Sequence, residues 1–501
     1  MRIKKYIVLL CVILLGIFIS ACEKDFLTLE NPNQMTGESF WRNAEDVESA
    51  LTATYALLQH QWWDWYWAPG EMFMTLEVMS DLTDADIFYP ISGHNEYNAH
   101  PNMYTVRYFW QENYKMIYAA NQVIENAPTV ESLTEDQVNE YVAEAKFLRA
   151  FANFQLVNLY GNIVKVTSVP TDPSEFYKPQ SPADEIYALI EEDLKFAKDY
   201  LPTSWPDAWL GRATRGAAAS YLGKVYMFQE KWAQAETEFK DVTTLGYSLV
   251  NDLYSLFTGK NEYSSESIFE INFTADRTGG RIESQSLVPN YQSWLGLWPT
   301  DHLKALFMDD TTAAGEKSAR TYASIVFDDP NCDIWYFNGQ TYEQYFGEDE
   351  DRAFYKKYSY YDPTEDAYEE YSVGINYVIM RYADVLLMLG EALNEQGKTA
   401  EAIPYINQVR NRAGSVPVDA GMSQSDLRHH IREVERPLEL CNETGRFFDL
   451  VRWYKSTSIQ AAMQANNGPN WDQFDDGVDE IWPIPARELS ANPEVIQNPG
   501  Y

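Results

Sequence analysis

The chain has 501 residues, and its 75 Asp and Glu outnumber its 38 Lys and Arg to give a formal net charge of -37. Such a chain cannot bind a nucleic-acid backbone by counterion release, so nucleic acid is excluded as a partner. The acidity itself is accounted for by solvation, since surface carboxylates keep a large protein soluble.

At the start, Arg2, Lys4 and Lys5 precede an uncharged, almost wholly apolar run from Tyr6 to Ile19. That run is shorter than the roughly 20 residues that cross a bilayer and has the size of a signal-peptide core. It closes on Ile19, Ser20, Ala21 and Cys22, which resembles the lipobox of bacterial lipoproteins, where the chain is cut before the cysteine and the cysteine is acylated. Residues 1–21 are thus expected to be a lipoprotein signal peptide, with lipid (palmitate) on Cys22 and a tether over 22–38. A plain secretory signal that happens to contain Cys22 is the alternative. Cleavage there moves the net charge to about -40. Cys11 would leave with the signal, so Cys332 and Cys441 allow at most one disulfide and the fold must stand on its core.

Helical patterning dominates the first half. Asn43 is placed to cap a helix with Glu45 and Asp46 in its first turn and Val47, Leu51, Tyr55 and Leu58 on one face. The stretch QHQWWDWYWAPGEMF follows, with Trp62, Trp63, Trp65, Tyr66 and Trp67 in six positions. Neighbouring residues point to different faces, so these rings cannot all enter one core. Thr134 and Gln137 form a capping-box pattern ahead of an apolar helix that Gly161 stops, and Ser181 with Pro182 opens another. Between about residues 247 and 378 the texture changes to loops, aromatic segments and short β-prone pieces such as SIFEINF. No Gly/Ser linker separates the two textures, which predicts one globular unit over 39–501 with a long irregular insertion at about 247–378.

The chain also repeats itself. Tyr221-Leu222-Gly223, Gln229, Lys231, Ala235 and Phe239 match Met388-Leu389-Gly390, Gln396, Lys398, Ala402 and Ile406 at a constant offset of 167. Both copies read as helix, tight turn, helix, with small residues at the close approach, and resemble the tetratricopeptide pattern. Such a scaffold needs about three repeats or more; VRYFWQENYKMIYAANQVIE and the helix from Tyr141 supply the other candidates. The fold class expected is mainly α, a tetratricopeptide-like helix-pair scaffold with a loop-rich, partly β irregular segment.

Three C-terminal stretches are more specific. NYVIMRYADVLLMLGEALNEQGKTAEAIPYINQVRNRAG, REVERPLELCNETGRFFDLVRW and WPIPARELSANPEVIQNPGY resemble the SusD/RagB family of outer-membrane nutrient-binding lipoproteins, as do Cys22, DFLTLENPNQMTGESFWRNAEDVESALTATYALL and AEAKFLRAFANFQLVNLYG near the start. The middle third is least matched. The motifs themselves read as architecture. Arg432, Arg436, Glu439, Glu443, Arg446 and Asp449 stand at helical neighbour spacings that allow ion pairs, and WPIP with its Asn-Pro turns reads as a terminal strap anchored by Trp482.

The resemblance implies binding without chemistry: no enzyme, but a lipid-anchored protein on the outer membrane facing the cell exterior, which captures glycans, or in some branches peptides, as a lid over a SusC-like TonB-dependent transporter. Glu23, Lys24 and Asp25 are similar to the surface-export signal of such lipoproteins. The ligand site is implied in the loops after the first helices together with the middle segment. A sugar presents C–H faces to aromatic rings and hydroxyls to amides and carboxylates. The candidates are therefore Trp65, Trp67, Asp81, Tyr89, Asn95, Tyr97 and Asn98 from the first region, with Glu77 beside them, and Tyr291, Trp294, Trp298 and Trp335 from the middle. For each aromatic, packing in the core is the competing role.

Rival classes are a carboxylate-based glycosidase, a peptide-binding protein and a purely structural lid. Carboxylates are too abundant here for a pair to identify a glycosidase. The six histidines form no H-E-x-x-H, His429 and His430 read as part of a solvated helix, and no nucleophile-elbow, P-loop or dinucleotide fingerprint occurs at a strand-to-helix turn. No catalytic or metal-ligating residue and no cofactor beyond the Cys22 lipid is expected. In NWDQFDDGVDE, Phe474 and Pro483 fall at calcium-ligand positions, which argues against an EF-hand loop and leaves a structural calcium only as an alternative.

Overall fold

The computed structural model describes residues 40–59, 75–85, 92–274, 297–332, 341–347, 350–358, 374–443 and 445–501. Helix α1 (Ala44–Ala56) starts where the Asn43 side chain accepts from the Asp46 amide at 3.1 Å, and it buries Val47 and Leu51. It packs on α2 (Tyr104–Asn126) and α3 (Glu135–Tyr160). The Thr134–Gln137 capping box opens α3, and Gly161, at φ 69°, ends it. Next come α4 (Ala183–Tyr200), α5 (Arg215–Phe228) and α6 (Trp232–Val242), each against its predecessor. Ser181 does not cap α4; its amide donates instead to Ile163 O at 2.8 Å in a short bridge.

The internal repeat is a pair of superimposable turns. The α5–α6 turn recurs in α9 (Tyr382–Glu395) and α10 (Thr399–Ala413). Lys231 N donates to Tyr226 O at 2.9 Å and Lys398 N to Leu393 O at 3.0 Å, the backbone closure of a Schellman motif. The left-handed position of that turn is Glu230 (φ 56°) in one copy and Gly397 (φ 75°) in the other. A Cβ on Gly223 would stand 2.5 Å from the Phe239 ring, and one on Gly390 2.6 Å from Ile406, so glycine sets both helix–helix approaches. Each turn also grips a carboxylate of an earlier helix. Gln229 and Lys231 reach Glu191 of α4 at 3.0 and 2.5 Å, while Gln396 and Lys398 reach Glu236 of α6 at 2.8 and 2.6 Å.

The insertion leaves and re-enters through paired strands. Strand β2 (Ser267–Ile271), the SIFEI piece, runs antiparallel to β6 (Tyr377–Arg381), which leads directly into α9. Its strand β3 (Leu297–Pro299) pairs back with β1 (Thr83–Ala85) of the first region, and within it β4 (Ile325–Val326) pairs with β5 (Phe354–Tyr355). Strand alternation sends Ile325 and Tyr355 to one side, into a core with Leu303 and Phe307 of α7 (Asp301–Asp309). Val326 and Phe354 go to the other, against Tyr342 of α8 (Tyr342–Phe346). Cys332 and Cys441 lie buried in the first of these cores.

Buried ion pairs tie the insertion to the C-terminal helices α11 (Gln424–His430), α12 (Arg436–Leu440), α13 (Arg446–Tyr454) and α14 (Ile459–Ala465). Arg381 meets Glu266, Glu439 and Glu443 at 2.8, 2.6 and 2.6 Å, and Arg320 meets Asp310 and Glu435 at 2.7 and 2.6 Å. The neighbour pairs expected from helical spacing give way to remote ones. Arg436 binds Asp449 and Asp384 at 2.6 and 2.7 Å, and Arg446 binds Glu433 at 2.9 Å, because the planar guanidinium forks between elements that pack side by side. Of the adjacent histidines, His429 is exposed and His430 is half-buried with Nε2 3.1 Å from Glu435. The chain ends as a strap after α15 (Ala486–Ala491). Trp482 is buried edge-on to Phe109 and Tyr160, and Asn498 donates to Tyr160 O and Trp482 O at 2.9 and 2.7 Å.

Candidate ligand-binding face

The expected site residues divide sharply. Trp65, Trp67, Tyr89, Tyr291, Trp294, Trp335 and Cys22 lie outside the described residues. Asp81 is fully buried, and Arg446 Nε and Nη2 hold its two carboxylate oxygens at 2.7 and 2.6 Å, with Asn466 Nδ2 adding a bond at 2.6 Å. Both oxygens are thus taken by protein donors, which makes Asp81 an internal counter-ion and corrects its assignment to ligand. Glu77 is buried too, accepting from Thr83 Oγ1 at 3.1 Å and Asn442 N at 2.9 Å. Asn95 is buried, with its carbonyl accepting from Asn470 Nδ2 at 3.0 Å. Tyr97 is buried edge-on to Phe474 at 5.0 Å, and its hydroxyl faces Met463 Sδ. Both belong to packing between the first region and the C-terminal segment. Asn98 is exposed.

Trp298 is the described aromatic candidate that keeps solvent-facing surface. It is half-buried in β3, opposite Asp84 of β1. Its flanking residues Leu297 and Pro299 turn inward, as alternation on a strand requires. The Arg352 guanidinium lies 4.5 Å from its ring centroid, and Glu350 holds that guanidinium through Nε and Nη2 at 2.8 and 2.6 Å. Arg352 also lies 5.5 Å from Phe354, whose ring stacks on Phe346 at 4.5 Å. Tyr345, the next residue of α8, is exposed. The result is a rigid aromatic platform in which the positive charge is already matched by a carboxylate. It can offer ring surface and the Asp84 carboxylate.

Sequence reasoning missed Tyr345, Arg352 and Asp84. The TYEQYF stretch carries a capping box at Thr341 and Gln344 that marks α8, so Tyr345 was open to detection. Arg352 was not, since its partner is 54 positions away on another strand.

In NWDQFDDGVDE the carboxylates serve the backbone: Asp476 accepts from Ser458 Oγ and Ile459 N at 2.5 and 2.8 Å, capping α14. Among the described residues no group of three or more His, Cys, Asp or Glu stands arranged to hold a metal ion, and no helix is long and apolar enough to cross a membrane.

A tetratricopeptide-like frame with an aromatic platform on its insertion defines a helical-repeat binding protein of one particular build. A family model described as "SusD family" matches residues 265–501, and one described as "Starch-binding associating with outer membrane" matches residues 25–227. The chain belongs to the SusD family. It is 29% identical to SusD-like protein P2 of Formosa agariphila, over 94% of this chain and 96% of that one. A SusD superfamily protein from Bacteroides vulgatus superposes with a TM-score of 0.80 at 25% identity, covering 92% of this chain and all of that one (100%). A laminarin-binding SusD-like protein superposes with a TM-score of 0.73 at 27% identity, again over 92% and 100% of the two chains.

Proposed function

We propose that the protein is a non-catalytic, lipid-anchored glycan-binding protein of the outer cell surface, which captures oligosaccharides and passes them to a SusC-like TonB-dependent transporter. The observation that carries this reading is the Trp298 platform. Its ring stands on a paired strand, opposite Asp84 of β1. A pyranose stacked on an indole buries modest apolar area, worth on the order of 1 kcal/mol per ring. Two or three rings, less the cost of ordering the sugar, give roughly millimolar to micromolar affinity, suited to a protein that hands its ligand on. The kinship with a laminarin-binding relative makes β-glucan the first ligand to try.

The test is calorimetry against laminarin and a panel of plant, host and microbial glycans, with Trp298→Ala alongside. Saturable heat with one glycan class, weakened about tenfold or more in the variant, is the expected result. Absence of heat with every glycan, together with a stable complex with the transporter, would transfer the role to peptide capture or a structural lid.

A further inference from the structure

A second aromatic surface lies away from β3, where α1 ends and the 203–214 loop crosses β2. Two depressions of about 440 and 270 Å³ meet there, sharing the ridge Leu210, Gly211 and Arg212. Gln59 and Trp209 line the first, Trp205 and Tyr263 the second. Gly211 sits at φ 90°, and a Cβ there would stand 2.3 Å from the Asn272 amide. The bare ridge instead lets Asn272 Nδ2 donate to Leu210 O at 3.2 Å.

The chain carries 23% charged residues, yet among the described residues only Arg212 and Glu270 line these depressions as charged groups. Both are spent internally. Arg212 stacks on Trp209 at 3.7 Å, lies 5.7 Å from Trp205, and pairs with buried Glu144 at 3.1 Å. Glu270 is buried and accepts from Tyr263 N and Asn376 Nδ2, each at 3.0 Å. That first bond holds Tyr263 at φ 50°, a left-handed setting costly for a bulky residue, and the residue is 36% exposed. Strain kept at an exposed ring is a feature of functional surfaces. Through its described residues the groove therefore offers indole, phenol, hydroxyl and amide groups, with its two charged side chains held by internal partners, which selects an uncharged, hydroxyl-rich, partly apolar ligand.

We propose that this groove is a second carbohydrate-binding site, for an uncharged oligosaccharide lying across the Leu210–Gly211 ridge and independent of Trp298. It rests on the glycan-binding reading above, and the experiment separates the two. Protein labelled with 5-fluorotryptophan is observed by fluorine NMR, with the Trp205 and Trp209 signals assigned from Trp205→Phe and Trp209→Phe. Laminarihexaose is titrated first, then malto-, cello-, xylo- and mannohexaose. Expected is a saturable shift of the Trp209 signal with at least one of them, unchanged in Trp298→Ala. Movement of other tryptophan signals while Trp205 and Trp209 stay still overturns the second site and leaves glycan binding standing. No movement with any sugar overturns both, and movement of Trp209 only with a peptide mixture overturns the carbohydrate assignment.

Discussion

Arg446 and Asp81 show how single residues are committed in this protein. Removing one member of such a pair leaves a buried charge unmatched, which costs about 3–5 kcal/mol. Arg446→Met should therefore lower the urea midpoint far more than a surface change, and Asp81→Asn combined with it should cost less than the two singles added. The same network sets the acid limb of stability. Burial opposes ionisation of Glu433, Glu439 and Asp449, but the arginines beside them override it and hold all three near 2. Their contribution is present above the ordinary carboxylate values of 4.5 and 3.8 and is lost as pH falls towards 2. Burial prevails at Glu144, pushed up to about 7 against Arg212 and Tyr55, and at Asp479, pushed up to about 6. Groups raised in the fold favour it most below their unfolded values and lose that effect as pH rises through 6 to 7. The urea midpoint should thus peak between about pH 4.5 and 6, with Glu144→Gln flattening the alkaline limb; a midpoint still climbing from pH 6 to 8 would contradict the assignment. What the sequence disclosed at this scale were caps, since Asn43, Thr134 with Gln137 and Gly161 act within four positions of themselves. It could not disclose that Asp81, Asn95 and Tyr97 are interior. A carboxylate, amide or phenol reads the same whether its partner is a sugar or an arginine 365 positions on.

At the scale of elements, the two copies of the helix–turn–helix unit differ in ways that make opposite predictions. Gly223→Ala drives a methyl into the rigid Phe239 ring and should cost about 1–3 kcal/mol. Gly390→Ala meets chiefly the end methyl of Ile406, which can rotate, and should cost less. Glu230→Gly should stabilise by about 0.5–1 kcal/mol. The left-handed penalty of about 1–2 kcal/mol it relieves exceeds the roughly 0.4–1 kcal/mol that glycine adds to the freedom of the unfolded chain. Thermal midpoints of the three variants check the order. The repeat was legible because its spacing and its glycines are local. The strand pairings of the insertion were not, because two- and three-residue strands carry too few positions for a period and their partners lie across long excursions.

Across the whole molecule, the C-terminal strap closes on α2 and α3. Trp482 packs on residues of α2 and α3, its indole N–H faces Met79 Sδ, and its backbone amide donates to Leu159 O at 2.5 Å. Trp482→Ala should cost about 3–5 kcal/mol and open the α2–α3 region to proteolysis before the rest of the chain. The sequence marked the strap and its anchor, while the surface it closes emerged only from the fold.

The strap also governs when the protein becomes finished. Synthesis proceeds from the N-terminus, and domains fold as their parts appear. Here the first helices lack the indole that fills their core until residue 482 has been made, and Asp81 lacks its arginine until residue 446. The packing of the first region thus waits on residues made roughly 300 positions later or more. A chain stopped short of Trp482 should therefore stay open to protease along α2 and α3, which limited proteolysis of a fragment ending at Ile481 would check.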